Sequence, residues 1–306
     1  MIQKLGYACH NMTLQTQKPK ITTSRTIRRD GFNKRGITAC SEIAYQNIKD
    51  LFKIIVWNKN NDIEFYRMSS DIVPWASEFK MEDLPHFTEI EDWLGRIGKY
   101  ANENGQRLTY HPGPFNVLSS PNPEVVRKTI IDLEHHSKMM DLMGLSATPY
   151  NKINIHIGGV YGNRNESAKR FCENFKLLSI NCQSRLTIEN DDSPNKFSVR
   201  DLYDLIHSEI GIPIVFDYHH YQFNTGDMSE EEALKLAIST WPAGITPIVH
   251  YSESKSLHEN NSKIRPQAHS YMINGLPNVY GHPVDVMVEA KAKELAILNL
   301  IPASYV

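Results

Sequence analysis

The sequence predicts an α/β protein folded as one (β/α)₈ TIM barrel, a single domain over residues 1–306. Three observations lead there. Short β-prone runs alternate with segments of helical spacing, and eight such runs can be counted. A chain of 306 residues suits one barrel, which commonly takes roughly 250 residues plus insertions. The stretch "IPIVFD", from Ile212 to Asp217, is continuously apolar before it turns polar, as a parallel strand buried on both faces does.

In chain order the candidate strands are "KLGYA", "IEFYRMSS", "RLTYHPG", "KINIHIGG", "RLTIEND", "IPIVFDYHH", "TPIVHYSE" and "DVMVEAK". The first six are each followed by a segment of helical periodicity: Ser41 to Trp57, Thr88 to Asn104, Pro123 to Met143, Glu166 to Leu178, Ser198 to Ser208 and Ser229 to Trp241. Pro123 suits a first helical turn, and Gly105, Gly144 and Gly211 suit helix stops. The seventh connection, "ESKSLHENNSKIRPQAHSY", has no clear helical face and reads as a long functional loop.

Composition narrows the function classes. A hydrophobic fraction of 41% supports a sizeable core, and no apolar run approaches the roughly 20 residues of a membrane span. The start "MIQKLGYACHNM" lacks the pattern of a secretory signal, so the expected location is the cytoplasm or wherever the genome is. Cys9, Cys40, Cys172 and Cys182 form no CxxC pair and are expected to be free thiols. A net charge of −2 gives no global basic signature, so a polyanion would have to be held by a local patch or by metal ions. One such patch is the polar stretch from Gln15 to Arg35, which carries Lys18, Lys20, Arg25, Arg28, Arg29, Lys34 and Arg35 directly after the first strand. On a rim loop these side chains would lie where a phosphate backbone could be held.

Active sites of such barrels lie at the carboxyl ends of the strands. From the third run to the eighth those ends carry His111, His156, Glu189, Asp217 with His220, His250 and Glu289, and His269 can reach back from the seventh loop. His258 is expected to be a solvated loop histidine, and His219, Asn190, Asp191 and Asn174 to orient ligands or fix loops. Imidazoles mixed with carboxylates suit Zn²⁺, Mn²⁺ or Fe²⁺ better than an all-oxygen cage. The set is too large for one ion. A central Glu189 could bridge two ions about 3.5 to 4 Å apart, an arrangement that generates a hydroxide nucleophile and stabilises a leaving alkoxide in phosphodiester cleavage.

The motifs "LGYACHNM", "YRMSSDIVPWAS", "HPGPFNV", "INIHIGGVYGN", "RFCENF", "LTIENDD", "FDYHH", "VHYSES", "AHS" and "MVEAKAKELA" together resemble the UV damage endonucleases, a family of xylose-isomerase-like barrels akin to endonuclease IV. The resemblance covers nearly the whole chain. It implies a metal-dependent repair endonuclease that nicks duplex DNA immediately 5′ of a photoproduct with two or three divalent ions, and since an enzyme working on long DNA has no need of a dimer, a monomer is expected. Mn²⁺ is the expected ion, with Zn²⁺ or Mg²⁺ as alternatives.

Carried across position by position, the resemblance implies a first metal pocket at His111, His156 and Glu189, a second at Glu189, Asp217, His250 and Glu289, and a third at His220 and His269. Glu189, His111 and Lys291 are the expected catalytic residues. Tyr7, Asn11, Pro114, Phe115, Arg28 and Arg29 are the expected contacts to DNA or lesion.

The chain departs from the family pattern at three places. Pro114 and Phe115 stand where the family has Gln followed by Tyr or Phe, which leaves an apolar wedge without an amide. Glu78 replaces a His after the second strand. Ile248 replaces a Lys and should face the same way as His250, which would cost the barrel a cationic group. The alternatives are a sugar isomerase or epimerase of the same barrel group, which would not need the basic loop or the Phe115 wedge, and an abasic-site endonuclease differing only in lesion choice.

Overall fold

Each of the eight predicted runs contains a strand in the computed structural model, which describes residues 1–300. The strands are β1 Ile2–Ala8, β2 Phe65–Arg67, β3 Arg107–Thr109, β4 Ile153–Ile155, β5 Leu186–Glu189, β6 Ile214–Asp217, β7 Ile248–Tyr251 and β8 Val284–Val288. They pair in the order β3-β2-β1-β8-β7-β6-β5-β4, every pair parallel. The seam between β3 and β4 is joined by one bridge, in which Tyr110 N donates to Lys152 O at 2.9 Å and Asn154 N donates to Tyr110 O at 3.0 Å.

The predicted helices appear as Phe87–Glu103, Pro123–Leu142, Arg164–Phe175 and Glu230–Ser239. The segment predicted over Ser198 to Ser208 is a helical turn, Val199–Leu202, running through a π turn, Tyr203–His207, into Ser208–Ile210. The helix predicted from Ser41 instead begins at Arg29 and runs to Asn60, kinked at Gly36, where φ is +61°. Its early turns are polar and carry no helical apolar face. Tertiary contacts support them: Phe32 stacks on Trp75 at 5.0 Å, and the Arg29 guanidinium sits 4.8 Å from that indole. The loop after β7 holds one helical turn, Lys255–His258, and is tied to itself by a Ser254–His269 bridge. No described helix is long and apolar enough to cross a membrane, and all four cysteines are free thiols.

Register and alternation assign the two faces of each strand. The pairs Gly6–Phe65, Phe65–Arg107, Asn154–Thr187, Glu189–Val215, Asp217–His250 and Ile248–Asp285 lie at matching levels, so these residues share the lumen. The lumen is plugged at its amino end by Phe65, Val215, Trp241, Ile248 and Met287. Beside them lies a fully buried ion pair, Arg107 Nη1 to Asp285 Oδ2 at 2.7 Å. Gly6 is required there because a Cβ would meet the Phe65 ring at 2.6 Å. The larger apolar core fills the space between strands and helices.

Candidate metal centre

Glu189 ends β5 pointing up the lumen, and the neighbouring strands close imidazoles around it. His111 Nε2 lies 3.2 Å from its carboxylate, His250 Nδ1 3.0 Å, His220 Nδ1 3.3 Å and His156 Nε2 4.0 Å. Burial pushes the Glu189 carboxyl up, but His250, His156 and the hydrogen bonds from His111 and His220 outweigh it and hold the group well below the usual carboxylate range. From below, Thr187 Oγ1 donates to Asn154 Oδ1 at 2.7 Å, and Asn154 Nδ2 donates to Glu189.

Two compact ligand groups share this carboxylate. The ligand atoms of His111, His156 and Glu189 lie within 4.8 Å of one another, and so do those of Glu189, Asp217 and His220. The first group is the pocket the resemblance implied. The second brings His220 beside Glu189 and Asp217, whose Oδ1 also accepts the His220 backbone N–H at 2.8 Å. His250 Nδ1 lies between Glu189 and Glu289, 3.3 Å from the latter, and Arg67 pairs with Glu289. His269 sits outside both groups, its ring 5.3 Å from His219 and its Nδ1 2.6 Å from Ser252 Oγ.

Asp217 tests whether the centre fits a cation. Its Oδ2 is buried with no hydrogen-bond partner among the described residues. Burial, with the charges of Glu189 and Glu289 adding to it and His220 opposing, pushes its carboxyl up to about 8. Burial lowers His111 and His269, whereas His156 and His220 are raised despite burial, by Glu189 and Asp191 and by Asp217 and Glu189 respectively. A buried, unpartnered carboxylate oxygen facing imidazoles and a second carboxylate fits a divalent ion.

The structure corrects several expectations. Tyr7 faces outward from β1 into the main core, fully buried; its hydroxyl donates to Asn58 Oδ1 at 2.6 Å and accepts from Asn11 Nδ2 at 2.9 Å. Asn11 is 1% exposed, and its Oδ1 caps the turn Met12–Gln15. Both are withdrawn from solvent and brace the floor of the first loop. Arg25 is also withdrawn, paired with Asp50 at 2.7 Å, whereas Arg28 and Arg29 are exposed. Lys291 points to solvent; its near neighbour Lys293 is the partly buried lysine that feels the charge of Glu289. His258 is paired with Glu253, and Glu78 is exposed on the turn Ala76–Glu78. Pro114 and Phe115 are exposed, Phe115 at 87%.

Ile248 does face the lumen with His250, but the barrel keeps an amine. Lys152 Nζ lies 3.1 Å from His250 Nε2, and burial, with Arg67 and Arg107 adding, holds that amine well below its usual range. Lys152, Asn154 and Arg67 were not singled out in the sequence. Counting back in twos from His156 finds Asn154 and Lys152, and Arg67 ends β2 as the other site residues end their strands.

An eight-stranded parallel barrel with a histidine and carboxylate cluster at its carboxyl rim defines a class of metal-capable barrels. Endonuclease IV from Thermus thermophilus shares this fold at a TM-score of 0.55 and 12% identity, over 97% of this chain and 96% of that one. Much closer is the crystal structure of SacUVDE, with a TM-score of 0.81 and 32% identity over 96% and 95% of the two chains. The model of the UV-endonuclease UvdE family matches residues 3–305, and the chain belongs to that family. Among curated relatives, the UV DNA damage endonuclease of Bacillus cereus (strain G9842) is 32% identical over 98% of this chain and 94% of its own length. The UV-damage endonuclease of Schizosaccharomyces pombe (strain 972 / ATCC 24843) is 36% identical over 97% of this chain, which spans 50% of that longer protein.

Proposed function

We propose that this protein is a metal-dependent DNA repair endonuclease that nicks duplex DNA on the 5′ side of UV photoproducts. The observation that carries the reading is the Glu189 carboxylate held between four imidazoles at the mouth of the barrel, with Asp217 Oδ2 left unpartnered beside it. His111, His156, Glu189, Asp217 and His220 would hold two divalent ions, His250, Glu289 and His269 would complete them or hold a third, and such ions, Mn²⁺ first among them, supply Lewis-acid activation of water and phosphate. The family membership and the names of the relatives support damaged DNA as the substrate.

The chain's own residues orient and exclude. Arg67 fixes Glu289, Lys152 braces the His250 ring from below, and Asp191 lies 3.2 Å from His156 Nδ1. Phe115 is free to enter a base step that damage has already loosened, and Pro114 stiffens its loop without offering an amide. Arg28 and Arg29 hold phosphates of the flanking duplex.

Deformability, more than hydrogen bonding, then selects the lesion, so an abasic site falls within range alongside a dimer. The test is to incubate the protein and Mn²⁺ with end-labelled duplexes carrying a thymine dimer, an abasic site or no lesion. A cut immediately 5′ of the dimer is expected. Cutting of the dimer duplex no faster than the intact one would overturn the proposal.

A further inference from the structure

We propose that Tyr161, on the loop after β4, is a second stacking residue that meets an unpaired or loosened base of the damaged duplex. The inference rests on the endonuclease reading and assigns it a recognition residue beyond Phe115. Tyr161 lies in the loop that leaves the rim at His156 and is 51% exposed. A lone exposed aromatic is ordinary. This one is held out by a backbone that a tyrosine seldom adopts, with φ at +48°, between Gly158 and Gly162, whose φ values are +98° and +81°. Its ring is supported on the protein side: the Arg170 guanidinium lies 5.6 Å from the centroid, and a Cβ at Gly159 would meet ring atoms from 3.5 Å.

The same support reaches the Phe115 loop. Arg170 Nε donates to Ser119 O at 2.8 Å, Asn174 Nδ2 donates to Leu118 O at 2.7 Å, and Ser119 Oγ donates to Ile157 O at 2.7 Å. A Cβ on Gly158 would meet Val117 at 2.5 Å, so the two loops touch with no room between them. Phe115 and Tyr161 are therefore presented by one braced unit beside the candidate centre. Aromatic faces fixed in advance lose little freedom when a base stacks on them.

The test measures discrimination, the ratio of dissociation constants for intact and dimer-containing duplex in EDTA, alongside Mn²⁺ affinity without DNA. Tyr161→Ala should lose roughly fivefold to a hundredfold of discrimination. Tyr161→Phe should keep it, Arg170→Met should lose part of it, and Mn²⁺ affinity should hold throughout. In Tyr161→Trp, the emission added over wild type should be quenched by the dimer duplex. Wild-type discrimination in Tyr161→Ala, or an unquenched Tyr161→Trp that still binds the duplex, overturns the inference, as does a Tyr161→Ala loss matched by an equal fall in Mn²⁺ affinity. A wild-type protein that cuts no damaged duplex while Tyr161→Trp is quenched would remove the endonuclease reading and leave the stacking role standing.

Discussion

Asp217 and Glu289 are both carboxylates at strand ends facing Glu189, yet the chain surrounds them in opposite ways. Glu289 has a cation of its own: burial opposes its charge, but Arg67 and His250 outweigh burial and hold the carboxyl well below the usual range. Asp217 has no permanent cation near it, keeps a buried oxygen without a partner, and is pushed up to about 8. A charge taken out of water must be matched by protein or by an ion, or be given up to a proton. One half of the rim is matched internally by Arg67, and the other is left for an ion to complete.

The largest effect should come at the residue both halves share. Glu189→Gln keeps the shape and removes the charge that gathers four imidazoles, so cleavage of a dimer-containing duplex should be abolished while circular dichroism stays that of wild type. Full activity in this variant would sink the assignment.

The two halves should then part company when each is changed alone. Arg67→Met strands Glu289 in the lumen and should cost about 3–5 kcal/mol of unfolding free energy, read from denaturant midpoints. An unchanged midpoint would show that Glu289 needs no protein cation. Asp217→Asn should do the reverse in metal-free protein and add about 1–3 kcal/mol near neutral pH, since it removes a carboxyl that must take up a proton to be buried and keeps an oxygen for the His220 N–H. With Mn²⁺ at about a hundred times its dissociation constant, wild type should gain about 2.7 kcal/mol and Asp217→Asn much less. Equal stabilisation of both proteins would place Asp217 outside the metal site.

How much of this was legible in the sequence follows from the same chemistry. Strand ends were legible because a parallel barrel needs continuous apolar runs, and the rim residues because each run broke into His, Asp or Glu. The approach of His220 to Glu189 was not legible, since the turn after β6 swings that ring inward and only the fold fixes that swing. The placement of Tyr7 was not legible for a related reason. It stands at the rim end of β1 in sequence, but its register with Tyr66 and Val288 turns it to the outer face, and alternation fixes the faces only once pairing is known. Lys152 was hidden at the start of a strand, where rim-centred reading does not look.

The smallest effect carries the comparison to the surface. Arg25 and its neighbours Arg28 and Arg29 belong to one basic stretch, but Arg25 is already matched: Asp50 lies at 2.7 Å, and the guanidinium donates to the Thr22 and Lys20 carbonyls at 2.6 and 2.7 Å. Arg28 and Arg29 are exposed, with no carboxylate paired to either among the described residues, and the Trp75 indole beside Arg29 leaves its charge intact. Only unmatched charges displace counterions from DNA. The slope of log affinity against log salt should therefore fall by about 1.8 when Arg28 and Arg29 are both replaced by Ala, at roughly 0.9 for each phosphate no longer neutralised. Arg25→Ala should leave that slope nearly unchanged and instead lower stability, because among the described residues it leaves Lys53 as the one cation paired with the buried Asp50. A slope that falls as much for Arg25 as for the other two would mean that an internal ion pair does not withdraw a cation from DNA. The division between matched and unmatched charge would then fail on the surface.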